Sequence, residues 1–250
     1  MRPRSLAVLV SVALAVFLAA LPVAAGDPPP GFVSLFNGKD FTGWKVPVGD
    51  GGHWKVVDGV IDYDAESQAA QDKNLWTAAE YEDFVLRAEW RIKETPYTNP
   101  NVPIIRLDGT HKKGLDGKEI KILVPDSDSG VLLRGSSKSQ VNIWCWPTGS
   151  GEVYGYRMDE KMPTAVRAGV TPKANADKDI GQWNAFEITM KGDRLTVVLN
   201  GVTVLDGAQL PGVPAKGPIG LQHHGDKKNG AWTSPPALVQ FRNIAIKELK

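Results

Sequence analysis

Residues Asp83–Lys93 read DFVLRAEWRIK, and their alternation decides the fold. Phe84, Leu86, Ala88, Trp90 and Ile92 fall on one side; Val85, Arg87, Glu89, Arg91 and Lys93 fall on the other. Side chains of a strand alternate between its faces. Five matches to a period of two, with no helical match of equal quality, predict a half-buried antiparallel strand.

The same signal recurs outward from this stretch. Downstream, Trp183–Lys191 puts Phe186, Ile188 and Met190 inward, and Gly192-Asp193 turns the chain into Arg194–Leu199. Asn200-Gly201 turns it again into Val202–Leu205, and Gly217–His224 and Leu238–Leu249 close the series. Asn243 breaks the alternation of the last strand and predicts a bulge. Upstream, His53–Val57 and Val60–Tyr63 flank Asp58-Gly59, a strong hairpin signal, and Asn74–Thr77 is a short strand. Short strands joined by Asx-Gly turns predict an all-β antiparallel sandwich or jelly roll, a single domain over residues 31–250. Trp54, Trp76, Trp90 and Trp183 are expected in its core.

Met1–Ala25 has basic Arg2 and Arg4, an apolar run Leu6–Leu21 and small residues at Val23-Ala24-Ala25. It reads as a signal peptide, removed on export to a periplasm or beyond, and residues 26–30 as a Pro-rich linker. Cys145 is the only cysteine, so stability must come from the core and not from disulfides. Lys and Arg number 29 against 28 Asp and Glu, with no basic run. That balance excludes a nucleic-acid partner and, once the export segment is gone, a membrane surface. Residues 94–127 carry four prolines and read as an excursion from the sheets, with strands expected at 102–107 and 119–124.

The chemistry-bearing residues cluster at Asp128–Arg157, DSGVLLRGSSKSQVNIWCWPTGSGEVYGYR. In Gln140–Trp146, Val141, Ile143 and Cys145 alternate with Gln140, Asn142, Trp144 and Trp146. Two amides and two indoles on one strand face suit hydroxyls and apolar C–H surfaces, such as those of a sugar. Arg134 lies just before this stretch and Glu152, Tyr154 and Arg157 just after it, and His223-His224 is the other titratable candidate. His53 and His111 have no partner motif and read as surface residues.

GFVSLFNGKDFTGW, WKVVDGVI, LWTAAEYEDFVLRAEWRI, DSGVLLRG, GQWNAFEITMKGDRLTVVLNG, GPIGLQHHG and VQFRNIAIKEL occur in this order. Together they resemble the 3-keto-disaccharide hydrolase family over nearly all of residues 31–249. The resemblance implies a concanavalin A-like jelly roll acting on glycosides oxidised to a ketone at C3. Such a ketone acidifies the C2 hydrogen; its removal lets the enolate expel the C1 substituent, and water then adds back. The site needs a base, a donor or cation at the C3 oxygen and a donor for the leaving oxygen.

Two positions depart from the family pattern. Asp128 stands where relatives often have Asn, and Gln140 where they often have a carboxylate. Gln140 can bind a hydroxyl but cannot act as a base or a strong metal ligand. An enzyme on 3-keto-glycosides is therefore set against a lectin-like binding module on the same fold. No cofactor is demanded by any motif, and a divalent metal ion stays open. In the enzyme reading His223 or His224 takes the C2 proton, Arg134 stabilises the enolate and Glu152 is the reserve carboxylate. Gln140, Asn142, Trp144, Trp146, Tyr154 and Arg157 contact substrate. His223 is favoured because it shares a face with the apolar Ile219 and Leu221.

Overall fold

The computed structural model describes residues 28–250, so the expected export segment lies outside the described residues. Two antiparallel sheets pack face to face. The first runs, in spatial order, β13 (Val202–Gln209), β12 (Arg194–Leu199), β11 (Asn184–Lys191), β6 (Phe84–Ile92), β17 (Val239–Glu248), β4 (Val60–Tyr63) and β3 (Trp54–Val57). A two-residue β1 (Val33–Ser34) also pairs with β17. The second sheet runs β10 (Ser136–Trp144), β9 (Asp128–Leu133), β14 (Gly217–Leu221), β5 (Leu75–Tyr81) and β2 (Trp44–Lys45).

The alternation of Asp83–Lys93 is realised in β6, where Phe84, Leu86, Ala88, Trp90 and Ile92 are all buried. They meet Val131, Leu133, Val141, Ile143, Ile219 and Leu221 of the second sheet in one apolar cluster. The Asx-Gly turns form as expected. Asp58 and Gly59 have φ of 50° and 78°, and Asn200 and Gly201 of 52° and 84°, the paired left-handed geometry that short hairpins require. Asn243, with φ of 50°, sits where the β17–β6 register shifts, so the expected bulge is present.

The excursion is a hairpin of its own, β7 (Tyr97–Pro103) with β8 (Lys121–Asp126), continued toward its tip by bridges at Ile105–His111 and Lys113–Glu119. Its strands start earlier and later than the sequence suggested. In a two-stranded ribbon each strand keeps an unpaired edge, so Pro100, Pro103 and Pro125 remove no ladder bond that the ribbon needs. A second small hairpin joins β15 (Lys227–Lys228) to β16 (Ala231–Trp232). Two short helices follow the central strand, α1 (Tyr154–Arg157) and α2 (Thr164–Gly169).

Two of the four tryptophans expected in the core lie elsewhere. Trp54 and Trp90 are buried, but Trp76 is half-buried and donates its N–H to Asp72 Oδ2 at 2.6 Å. Trp183 lies on the outer face of the first sheet between the Arg91 and Arg242 guanidiniums, 4.8 and 4.1 Å from its ring. Among the described residues no helix is long and apolar enough to cross a membrane.

Candidate functional site

Strand register places the site. Gln140 pairs with Leu132, Asn142 with Gly130 and Trp144 with Asp128 across β10 and β9. Directly opposed residues share a face, so Gln140, Asn142, Trp144 and Asp128 stand together on the outer side of the second sheet. The alternate residues Val131, Val141 and Ile143 are fully buried between the sheets. Gln222 N–H donates to Gly130 O at 3.0 Å, extending β14 along β9. Gln222 and His224 therefore continue the same outer face. A Cβ on Gly130 would fall 2.7 Å from Gln140 Cγ; the glycine lets Gln140 lie flat across β9 and donate to Ser129 O (3.1 Å) and Gln222 Oε1 (2.6 Å).

Above this floor lies a cleft of about 370 Å³. Its lining includes Asp126, Asp128, Gln140, Asn142, Gln222 and His224, with Trp146, Tyr154 and Asn99 on the walls. Trp144 and Trp146 stack in parallel with centroids 4.1 Å apart, and the Tyr154 ring meets both edge-on at 6.2 and 6.5 Å. Trp144 is 3% exposed and its N–H is used by Gly149 O, so Trp146 and Tyr154 offer the accessible aromatic surface.

Three titratable groups meet in the cleft. His224 Nδ1 lies 2.6 Å from Pro235 O. A carbonyl only accepts, so Nδ1 carries the proton, and in the neutral ring Nε2 holds a free lone pair. That Nε2 stands 3.9 Å from Asp128 Oδ2. Asp128 Oδ1 is sealed from solvent and has no partner among the described residues. Burial pushes the Asp128 carboxyl up to about 7; His224 pulls it back and Asp126 adds to the rise. Asp126 is itself raised by burial, and it accepts from Asn99 Nδ2 (2.9 Å) and Trp146 Nε1 (3.0 Å). An imidazole nitrogen beside a carboxyl raised toward neutrality can exchange protons with a ligand in either direction.

A family model described as the 3-keto-alpha-glucoside-1,2-lyase-like domain matches residues 31–247. The chain belongs to this family. Membership in the 3-keto-alpha-glucoside-1,2-lyase-like family makes it a carbohydrate-active, glycosyl-hydrolase-like protein. Two crystal structures of candidate glycosyl hydrolases from Parabacteroides distasonis ATCC 8503 share its fold. One is 24% identical, with a TM-score of 0.56 over 88% of this chain and 84% of its own. The other is 19% identical, with a TM-score of 0.53 over 88% and 95%. No curated protein matches the sequence.

In this family member several residues expected at the site are held elsewhere. Arg134 closes the far end of β9, about 20 Å from Asp128 at about 3.3 Å per residue. Its guanidinium donates to Glu82 O (2.6 Å), Gly192 O (2.7 Å), Pro214 O (3.1 Å) and Asp83 Oδ1 (2.9 Å). It staples three loops at the end of the strand away from the cleft, too far to meet an enolate there. His223 points inward, because the apolar face it shares with Ile219 and Leu221 is the face between the sheets. Its Nδ1 lies 2.5 Å from the Tyr63 hydroxyl, its backbone N–H donates to Asn74 Oδ1, and burial pulls it down to about 4. The alternation holds, and it turns His223 toward the interior and His224 toward the cleft.

Glu152 and Arg157 form a fully buried ion pair at 2.6 Å. Burial raises the Glu152 carboxyl against the pull of Arg157. Arg157 Nη1 also donates to His111 Nε2 at 2.8 Å, and His111 Nδ1 lies 2.8 Å from Glu119 Oε1. This chain ties the tip of the β7–β8 hairpin to α1, which carries Tyr154. Glu152 and Arg157 thus position the cleft wall, and His111 is a half-buried linker between them and Glu119, not the unpartnered surface residue expected. Asp126, Asp128, Asn99 and Gln222 were missed as site residues. The alternation that put Gln140 and Asn142 on one face would have found Asp128, had β9 been extended back through Gly130.

Among the described residues no three His, Cys, Asp or Glu side chains are grouped to hold a metal ion.

Proposed function

We propose that the protein cleaves glycosides whose sugar carries a ketone at C3, by elimination of the C1 substituent followed by addition of water. The observation that carries this reading is the His224–Asp128 pair, a base of fixed tautomer beside a carboxyl held near 7. His224 Nε2 takes the C2 proton, and the C–H electron pair moves into an enolate on C3. The Asn142 amide, which makes no side-chain hydrogen bond among the described residues, and Gln222 Nε2 are free to donate to that oxygen. Collapse of the enolate breaks the C1–O bond, and Asp128 in its protonated form gives its proton to the leaving oxygen. Water then adds to C1 of the enone, losing its proton to Asp128, and His224 returns its proton to C2. Trp146 and Tyr154 face the sugar's C–H surface. Removal of the segment Met1–Ala25 on export would put this activity in a periplasm or outside the cell.

Gln140, where relatives often have a carboxylate, favours a second reading, a lectin-like module that binds through the same cleft without turnover. One experiment separates them. The protein is incubated with a 3-keto-glucoside and with its unoxidised parent, in 2H2O. The enzyme releases aglycone from the keto form alone, with deuterium entering at C2. Cleavage of the parent at equal rate, or no cleavage of either, overturns the enzyme; binding without cleavage establishes the module.

A further inference from the structure

Ser129 O decides the direction of two side-chain amides. A carbonyl only accepts, so the Gln140 atom lying 3.1 Å from it is the NH2 group. The same NH2 lies 2.6 Å from the Gln222 side chain, so the Gln222 atom that meets it is the oxygen. Both Gln140 hydrogens are then spent, one on each acceptor. The Gln222 NH2 is left on the far side of its own amide. It has no partner among the described residues and, unlike Asp128 Oδ1, it is not sealed from solvent; Gln222 lines the cleft.

The Gln222 main chain is held on both sides. Its N–H donates to Gly130 O at 3.0 Å and its O accepts from Ser129 Oγ at 2.9 Å, which leaves the side-chain amide as the part still to be oriented. Turning that amide over would set NH2 against NH2, two donors without an acceptor, and leave a buried Gln140 hydrogen unmet. Gln140 cannot swing aside to relieve this, since it is 7% exposed and lies flat on Gly130. A carboxylate at position 140 would reverse the arrangement. It only accepts, so it would face Ser129 O as one acceptor against another and draw the Gln222 NH2 toward itself. The cleft would then receive the Gln222 oxygen.

We propose that Gln140 is a positioning residue, which locks the Gln222 amide with its NH2 turned into the cleft. Under the reaction proposed above, on which this consequence rests, that NH2 meets the oxygen on C3 as negative charge develops there. Accepting from Gln140 also polarises the Gln222 amide and makes its N–H the stronger donor. The amide at position 140 thus has a role that no carboxylate could fill.

The test uses the whole protein and reads the side-chain amides apart from turnover. Their proton resonances are assigned by their loss in Gln140→Met and in Gln222→Met. In the wild type the twice-bonded Gln140 NH2 should exchange with water at least about tenfold more slowly than the open Gln222 NH2. In Gln140→Glu the Gln222 NH2 should turn to the new carboxylate and become the slow one. On a 3-keto-glucoside Gln140→Glu and Gln222→Met should each lose about 10²–10³ in kcat, the usual effect of removing one such donor. The double variant should lose no more than Gln222→Met alone, because both changes remove the same donor. Should Gln140→Glu not fold, Gln140→Met replaces it: it frees Gln222 to turn, with a loss of about tenfold or less that vanishes in the Gln222→Met background. Equal exchange of the two wild-type amides, or losses that multiply in the double variant, overturns the proposal. A wild type without turnover sinks the reaction proposed above, and the exchange rates then judge the lock by themselves.

Discussion

The outer faces of the two sheets are both polar, yet they differ in how their polar groups are met. On the first sheet Arg87 pairs with Glu187 at 2.7 Å, Arg242 with Glu89 at 2.7 Å and Lys93 with Asp62 at 2.8 Å, while Arg91 Nε donates to Gln240. Arg87–Glu187 and Arg242–Glu89 are directly opposed across strands, so the face completes itself. On the second sheet, among the described residues, Asp128 keeps a sealed oxygen without a partner, Asn142 makes no side-chain hydrogen bond, and His224 turns a lone pair into the cleft. A self-paired face is finished surface, and a face of buried, unmet groups is prepared for a ligand. Charge density alone would have chosen the first sheet.

That contrast breaks first at the histidines. His224→Ala should lose about 10²–10⁴ in kcat on a 3-keto-glucoside, the usual contribution of a positioned base, with the thermal transition little changed. His223→Ala should do the reverse, lowering the transition while each folded molecule turns over normally. Equal losses of turnover in both would erase the distinction between the two faces of β14.

The buried ion pair should give the largest stability effect. Arg157→Met leaves the Glu152 carboxyl buried without its partner, and urea unfolding should show a loss of about 3–5 kcal/mol. The β7–β8 tip should loosen too, since His111 loses its donor, and hydrogen exchange at residues 104–120 reads that directly. A loss below about 1 kcal/mol would mean that the pair is open to solvent screening.

A smaller effect concerns pH. The Asp128 carboxyl is raised to about 7 in the folded protein, against about 4 in an unfolded chain. Between these values the folded state holds the proton more tightly, so stability falls as pH rises from about 4 to about 7 and levels off above. Asp128→Asn should flatten that slope and be the more stable form above pH 7, while losing turnover. A slope identical to wild type in urea titrations at pH 5 and 7.5 would place the raised carboxyl elsewhere, Glu152 being the alternative.

The smallest effect belongs to the first sheet. Arg87→Ala removes an exposed, self-contained pair and should cost about 0–1 kcal/mol with activity intact. A drop in turnover there would move the functional face.

The sequence by itself determined the layered fold, because burial imposes a period of two that can be counted, and Asx-Gly turns impose left-handed backbone where strands reverse. It also determined that Gln140, Asn142, Trp144 and Trp146 share a side, and that one of the two adjacent histidines must face away from the other. It did not determine which side of β14 was the core, since Ile219 and Leu221 beside His223 read equally well as a lined pocket or a packed interior. Nor could it assign Arg134: a guanidinium held by three carbonyls and one carboxylate from three distant segments leaves no local pattern. Asp128 and Asp126 became visible only when β9 paired with β10 and His224 arrived from almost 100 residues later. Alternation is a local property and survives in the chain; which faces meet, and which charges then lose their water, is settled by contacts between segments far apart in sequence.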